Sequence, residues 1–396
     1  ARLVEPELAT LAHVRAGELA LRSGRRREAA TLFESAASSE SLARALELRV
    51  ALHELDAAAT LAEQLAARDP SWRARADELR SLADPADALH FDLREPLDDR
   101  WRVAWPGLLR RTRSGLHVES LGGPAPLLAA RPFTWTGKRL TLEVELEVSR
   151  LEWGSAIAFE IVSDEGVPVA HVRVGSTGGG GRYVLDIAAD HRLEPGSHGD
   201  KPIIQGAILS EGPRVVRLRL DLLRDTADAW IAADVRRPAQ TMPEAELAFS
   251  PKIPSAPLQR RHFELQLRAG EEAWQRGVAR IVRIELIGAE DGPAARPASA
   301  REQVLLALVN GEHEQVLALL DASELEPREA AWLRLLALEQ LGRFDASAPE
   351  LARAIADCDD EQARAHFAYA LRVEPDRFGP RLRELCSPER FVMMTW

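Results

Sequence analysis

The spacing of apolar residues changes period twice along the chain. Over residues 5–83, in stretches such as "PELATLAHVRAGELALRSGRRREAATLFESAASSE", Leu8, Leu11 and Val14 are followed by Leu19 and Leu21. Apolar residues three and four apart lie on one face of an α-helix. Gly24 and a basic run interrupt the pattern, and a second helix is predicted with Ala29, Leu32, Phe33 and Ala36 on its apolar side. Leu55, Ala58, Ala62 and Leu65 continue the series, with His53 near the turn before them and Asp69-Pro70 after. "SWRARADELRSLADP" predicts one more helix, stopped by Pro85. Over 90–290 the period becomes two, in "KRLTLEVELEVSRLEW", "SAIAFEIVSDEG", "PVAHVRVG", "RYVLDIAAD", "RVVRLRLDLLRD", "AWIAADVRR", "RHFELQLRAG" and "ARIVRIELIG". So many strands, many of them separated by Gly, Pro, Asp or Ser clusters, predict an antiparallel sandwich. From 299 onward the helical period returns, with Gly311 and Gly342 between helix pairs and Trp332, Leu335, Leu336, Phe344, Leu351 and Ala354 in the apolar series. A third pair is predicted around 360–372 and 378–386.

The fold class predicted is therefore multidomain α and β, with helical-repeat blocks at both ends of an antiparallel β-sandwich. The boundaries are 1–89 for the first block, 90–290 for the sandwich, 291–298 for a linker and 299–396 for the second block. The N-terminal helices resemble tetratricopeptide repeats. Gly17 matches the small residue of the first helix, Gly24 the turn, and Ala29, Phe33 and Ala36 the small–large–small series of the second. Gly311 and Gly342 are 31 residues apart, close to that family's period of about 34. The sandwich resembles the laminin-G-like or concanavalin-like jelly roll. "VVRLRLDLLRDTADAWIAADV" is similar to that family's long hairpin, and "GVARIVRIELIG" to its last strand, which the resemblance implies pairs near the first.

Composition narrows the functional classes. The net charge of −11 offers no chain-wide basic surface for nucleic acid or anionic lipid. No apolar run reaches the roughly 18 residues of a membrane helix, so membrane insertion is not expected. Cys358 and Cys386 are the only cysteines, which suits a reducing cytoplasm better than a disulfide scaffold. Only three of the 51 basic residues are lysine, in keeping with a GC-rich bacterial genome. The chain opens inside helix-like sequence and reads as a piece of a longer polypeptide.

Glu143, Glu145 and Glu147 are the strongest candidates for chemistry. Residues two apart on a strand share a face about 6.6–6.8 Å apart, and such carboxylates can lean to the roughly 5–5.5 Å of retaining glycosidases. The segment resembles the Glu-x-Asp-x-Glu strand of some concanavalin-like glycan hydrolases, although Glu145 stands where that family has Asp. The simpler reading is that Leu140, Leu142, Val144, Leu146 and Val148 face the core and the glutamates face water. On that reading the three glutamates are exposed and dispensable. Asp190, His191, His198 and Asp200 gather metal-type side chains, but at a spacing that matches no metal motif. The glycine run at 174–183 lacks the Lys-Ser/Thr and helix of a phosphate loop and reads as a hairpin loop. Arg110, Arg111 and Arg113 read as surface. No cofactor is implied.

The sequence thus favours a non-catalytic module recognising a protein or peptide, suited to the regulatory or scaffolding part of a larger bacterial signalling protein. The alternative is a glycan-binding or glycan-hydrolysing sandwich. Tryptophan exposure separates the two, because a row of exposed indoles suits sugar and buried ones suit a scaffold. Two repeats and a cap bury less than a full repeat core. The face around Leu8, Leu11 and Leu19 is therefore expected to be covered, by docking on the jelly roll.

Overall fold

The computed structural model describes residues 5–52, 54–83, 87–103, 109–120, 126–130, 132–136, 138–151, 155–163, 166, 168–177, 182–189, 204–210, 213–223, 229–237, 239, 245–249, 262–269, 277–292, 297–347 and 349–350. The chain opens with α1 (Glu5–Arg22), α2 (Arg26–Ala36), α3 (Ser39–Ala51), α4 (Leu55–Arg68) and α5 (Arg73–Ala83). The strands begin with β1 (Ala88–Asp92), β2 (Trp101–Val103), β3 (Leu109–Thr112), β4 (Gly115–Ser120), β5 (Pro126–Ala130) and β6 (Phe133–Trp135). They continue through β7 (Arg139–Leu151), β8 (Ala156–Ser163), β9 (Pro168–Thr177), β10 (Arg182–Ala189), β11 (Ile204–Ser210) and β12 (Arg214–Leu223). The last are β13 (Ala229–Arg236), β14 (Ala245–Phe249), β15 (His262–Ala269), β16 (Gly277–Ile287) and β17 (Ala289–Asp291). Three helices follow: α6 (Ala300–Asn310), α7 (His313–Asp321) and α8 (Pro327–Gln340).

The strands form two antiparallel sheets. Sheet A runs β14-β13-β12-β7-β16-β4-β3, with β1 also paired to β16. Sheet B runs β11-β10-β9-β8-β15-β5-β2, with β6 on β15 and β17 on β6. All eight strands predicted from the two-residue period are present. The expected long hairpin is β12–β13, in register from Val215 opposite Arg236 to Leu222 opposite Ala229. The late strand β16 returns to β1, placing Ile287 opposite Ala88. β9 and β10 pair on either side of the glycine run, Thr177 opposite Arg182, as a hairpin loop requires. Leu140, Leu142, Val144, Leu146 and Val148 point into the core as predicted, towards buried Ile157, Phe159, Leu265 and Leu267 of sheet B. Trp135 and Phe133 stack beside Phe263, at 5.9 and 6.0 Å between ring centroids. The short strands β1–β6, β11, β14 and β17 carry too few alternations to stand out in the sequence.

The N-terminal helices form two hairpins and a closing helix around a core of their own, with Ala29, Phe33, Leu42, Leu46, Leu61 and Leu65. A side chain at Gly17 would meet the Phe33 ring at 2.9 Å, so the small residue lets α1 approach α2. Gly24 and Gly342 both end helices with positive φ, at 75° and 71°, where any other residue is strained. Phe344, expected inside the C-terminal series, is instead exposed.

The C-terminal helices attach differently. Val304, Leu305, Leu308, Leu320, Trp332, Leu333 and Leu335 belong to the same hydrophobic core as the sandwich. Ser299 and Glu302 start α6 with a capping box, and α6 packs against β2 and β3. At its end the buried Asn310 side chain accepts a hydrogen bond from the Leu97 N–H and donates one to the Leu97 carbonyl, both 2.8 Å. Arg111 donates to the backbone carbonyls of Arg94 and Asn310, so it is a clamp and not a free surface charge, whereas Arg110 and Arg113 are exposed.

Replacing Asn310 with Leu leaves the buried N–H and C=O of Leu97 without partners, each costing about 1–3 kcal/mol. The expected outcome is a chain destabilised by roughly 2–6 kcal/mol in urea unfolding, with Asn310→Asp also destabilising at neutral pH because it sets a buried carboxylate oxygen against the Leu97 carbonyl.

Candidate functional site

The glutamate strand β7 lies in the middle of sheet A, and its neighbours answer it residue by residue. Across β12, Glu143 faces Arg219 and Glu145 faces Arg217. Across β16, Glu145 faces Arg283, Glu147 faces Arg280, and Glu143 faces Glu285. The resulting ion pairs are Arg219–Glu143 at 3.3 Å, Arg217–Glu145 at 3.2 Å and Arg280–Glu147. The glutamate side chains are 32, 23 and 27 % exposed. This corrects the expectation of a freely solvated face. The glutamates are half-buried because long arginine side chains from both neighbouring strands lie over them. The signal was present in "RLRLD" (217–221), whose arginines stand at strand spacing, but not in "RIVRIE" (280–285), whose arginines are three apart and share a face only through a bulge between Ile281 and Arg283.

Further along the same face, Thr141, Asp221 and Arg139 are fully buried. Thr141 donates to the Asp221 carboxylate, Arg219 lies 3.3 Å from it, and Arg139 4.0 Å. Arg139 also reaches Asp56, at the start of α4, at 3.5 Å. The N-terminal block therefore stands over this end of sheet A. Arg27 of α2 completes the contact, pairing with Asp234 of β13 and, at 2.5 Å, with Glu54. The block meets the sandwich, then, but not through the surface expected. Leu8, Leu11 and Leu19 are 50, 47 and 61 % exposed, because the turn ends of α2 and α4, and not α1, face the sheet.

A cleft of about 130 Å³ remains between block and sheet, lined by Arg27 and Glu54 on one side and by Glu143, Glu145, Arg217, Arg219, Asp234 and Arg283 on the other. That is well below the roughly 300–1,000 Å³ of a small-molecule pocket. Two carboxyl groups here respond to burial in opposite senses. Burial pushes Glu143 above the ordinary carboxylate range; Arg219 opposes this, and Glu285 and Asp221 reinforce it. Burial would also raise Glu54, but hydrogen bonds from Arg49 and Arg27 outweigh it and hold the group below its ordinary value. A raised carboxyl is one half of a glycosidase couple. Here it is paired to a guanidinium, under a helix, beside a cleft too small for a sugar chain.

The opposite face of the molecule offers a second surface. One rung across sheet B reads Arg102, Ala129, Gln266, Glu160 and His171, on five successive strands. Arg102 pairs with Glu264, and Arg268 lies beside both Glu160 and Gln266. These side chains are half-buried, and sequence reasoning missed them, because they come together only through strand order.

Asp190, His191, His198 and Asp200 lie outside the described residues, as do Cys358, Cys386, Trp105, Trp153, Trp274 and the predicted third C-terminal helix pair. Trp101 and Trp135 are buried. Among the described residues no group of three His, Cys, Asp or Glu is placed to hold a metal ion, and no helix is long and apolar enough to cross a membrane.

Glu54 and Glu143 predict opposite pH behaviour. Glu54, with its folded pKa depressed, contributes stability that is present above its unfolded pKa and lost as pH falls through the folded one. Glu143, with its folded pKa raised, favours the fold below its unfolded pKa and loses that contribution as pH rises through the folded one. Glu54→Gln is expected to cost about 1–3 kcal/mol at neutral pH, shrinking as pH falls towards 4. Glu143→Gln is expected to leave stability within about 1 kcal/mol of the parent or above it. Urea unfolding at pH 4 to 8 reads both.

No protein-family model matches the chain, and none of the curated proteins matches it. Several solved structures align with about half of the chain. The carbohydrate recognition domain of Emp46p, in its potassium-bound form, covers 52% of this chain and 98% of its own, at 12% identity and a TM-score of 0.37. Peanut lectin with a nine-residue peptide covers 52% of this chain and all of its own, at 11% identity and a TM-score of 0.32. An alginate lyase of Pseudomonas aeruginosa covers 45% of this chain and 84% of its own, at 14% identity and a TM-score of 0.31. At such scores the likeness assigns this chain no ligand.

Proposed function

We propose that the chain is a non-catalytic recognition module in which a tetratricopeptide-like block offers the outer face of α1 to a protein or peptide partner. The observation that carries this reading is the exposure of Leu8, Leu11 and Leu19 on the side of α1 opposite the inward-packed Gly17 and Ala20, with the Arg15–Glu18 ion pair among them. Helical-repeat surfaces bind peptides and helices through such faces. Two further observations weigh against catalysis. Every glutamate of the β7 face is held by an arginine, and Trp101 and Trp135 serve the core. A scaffolding or regulatory role in a larger signalling protein follows the same logic.

Leu8→Asp/Leu19→Asp tests this reading. Since both leucines are exposed, stability is expected within about 0.5–1 kcal/mol of the parent. A partner captured by the parent protein from cell extract is expected to be lost with the variant. Equal capture by both proteins sinks the assignment.

A second reading has its own observation, the polar rung of sheet B. Its guanidinium, amide, carboxylate and imidazole groups suit the hydroxyls of a glycan. A glycan array is the check: binding abolished by Gln266→Ala, with partner capture unaffected, would move the ligand site to sheet B.

A further inference from the structure

We infer that the N-terminal helical block is a detachable cover over sheet A, held in place by ion pairs and able to separate as a folded unit. The inference is independent of what α1 binds. It starts from the division of the hydrophobic core. The buried apolar residues of α1–α5 form one cluster, and those of the sandwich, α6, α7 and α8 form another. The C-terminal helices share buried leucines with the strands; the N-terminal ones do not. Among the described residues, what crosses between block and sheet is charge, including Arg27 to Asp234 and Asp56 to Arg139.

The geometry makes these contacts a latch. Arg27 is clasped on its own side by Glu54, and Glu54 by Arg49 of α3, so the cation is fixed on the block before it meets the sheet. On the sheet, Arg139 is held from below by Asp221. Both halves are therefore preorganised, and parting them breaks these ion pairs without opening either core. The cleft already present between them shows that the two surfaces are not packed together like a protein interior. Parting would bare Glu143, Glu145 and Arg219, which are now largely covered, and join them to Arg217 and Arg283, already half-exposed at the rim of the cleft. Access to that patch would then depend on ionic strength and on any partner that competes for Arg27 or Asp56.

The experiment compares the parent with Asp56→Arg/Asp234→Arg by small-angle X-ray scattering and far-UV circular dichroism in about 50 mM salt, where the screening length exceeds 10 Å. Asp56 and Asp234 belong to neither apolar core, and reversing both turns each crossing pair into a repulsion. The expected result is unchanged helix content with a larger radius of gyration and maximum dimension. A folded variant with the scattering curve of the parent overturns the inference. Should the double variant lose helix content, the parent in rising sodium chloride decides. Growth of the radius of gyration towards 1 M at constant helix content supports the latch, and a salt-independent curve overturns it.

Discussion

Carboxylates in the middle of a β-sheet have to be neutralised where they stand. Strand β7 places Glu143, Glu145 and Glu147 on one face at two-residue spacing, between two strands that each bring side chains within about 4.5–5.5 Å of them. Like charges two residues apart on one strand, about 6.6–6.8 Å, repel. The arginines of β12 and β16 remove the repulsion, and in doing so they fix the register. A slip of one residue in either strand would put a valine, leucine or isoleucine opposite a glutamate and turn an arginine towards Val144 and Leu146 in the core. The ion-pair ladder and the apolar inner face thus specify the same alignment from opposite sides of the sheet. The arginines that set this alignment also build the surface on which the helical block rests.

Two helical segments meet the sandwich by different physics. Burying a leucine completely contributes about 1.5–3 kcal/mol, and α6–α8 commit several to the shared core. A partly exposed ion pair contributes about 0–1 kcal/mol, and the N-terminal block relies on a few. The C-terminal helices are therefore an extension of the sandwich, while α1–α5 behave as a neighbour. Glu54 is the hinge of this arrangement: it neutralises Arg27 and Arg49 together, and their hydrogen bonds hold its carboxyl low against the upward push of burial.

Much of this was readable in the chain. The periods of two and of three to four residues located the long strands and the helices, because burial of one face imposes them directly. Gly24 and Gly342 were legible as turns because only a residue without a side chain adopts their φ freely. The burial of the β7 glutamates was not legible from β7 alone, since it depends on which strands flank it. The exposure of Leu8, Leu11 and Leu19 was missed for a related reason. Apolar spacing says that a face can be buried, and only tertiary placement says whether it is. The sheet B rung draws Arg102 and Gln266 from positions more than 160 residues apart, with nothing local to announce the pairing.

The seat of α6 against β2 and β3 bears on how the molecule avoids its own copies. β2 ends sheet B and β3 ends sheet A, and a terminal strand presents unpaired N–H and C=O groups to any passing chain. By lying beside both, α6 shields this side of the sandwich from edge-to-edge pairing, and the Asn310 amide fixes its end by pairing with Leu97 in the segment between β1 and β2. Truncation before Ser299 would leave this covered edge open to pairing, and the first symptom would be aggregation as the protein is concentrated.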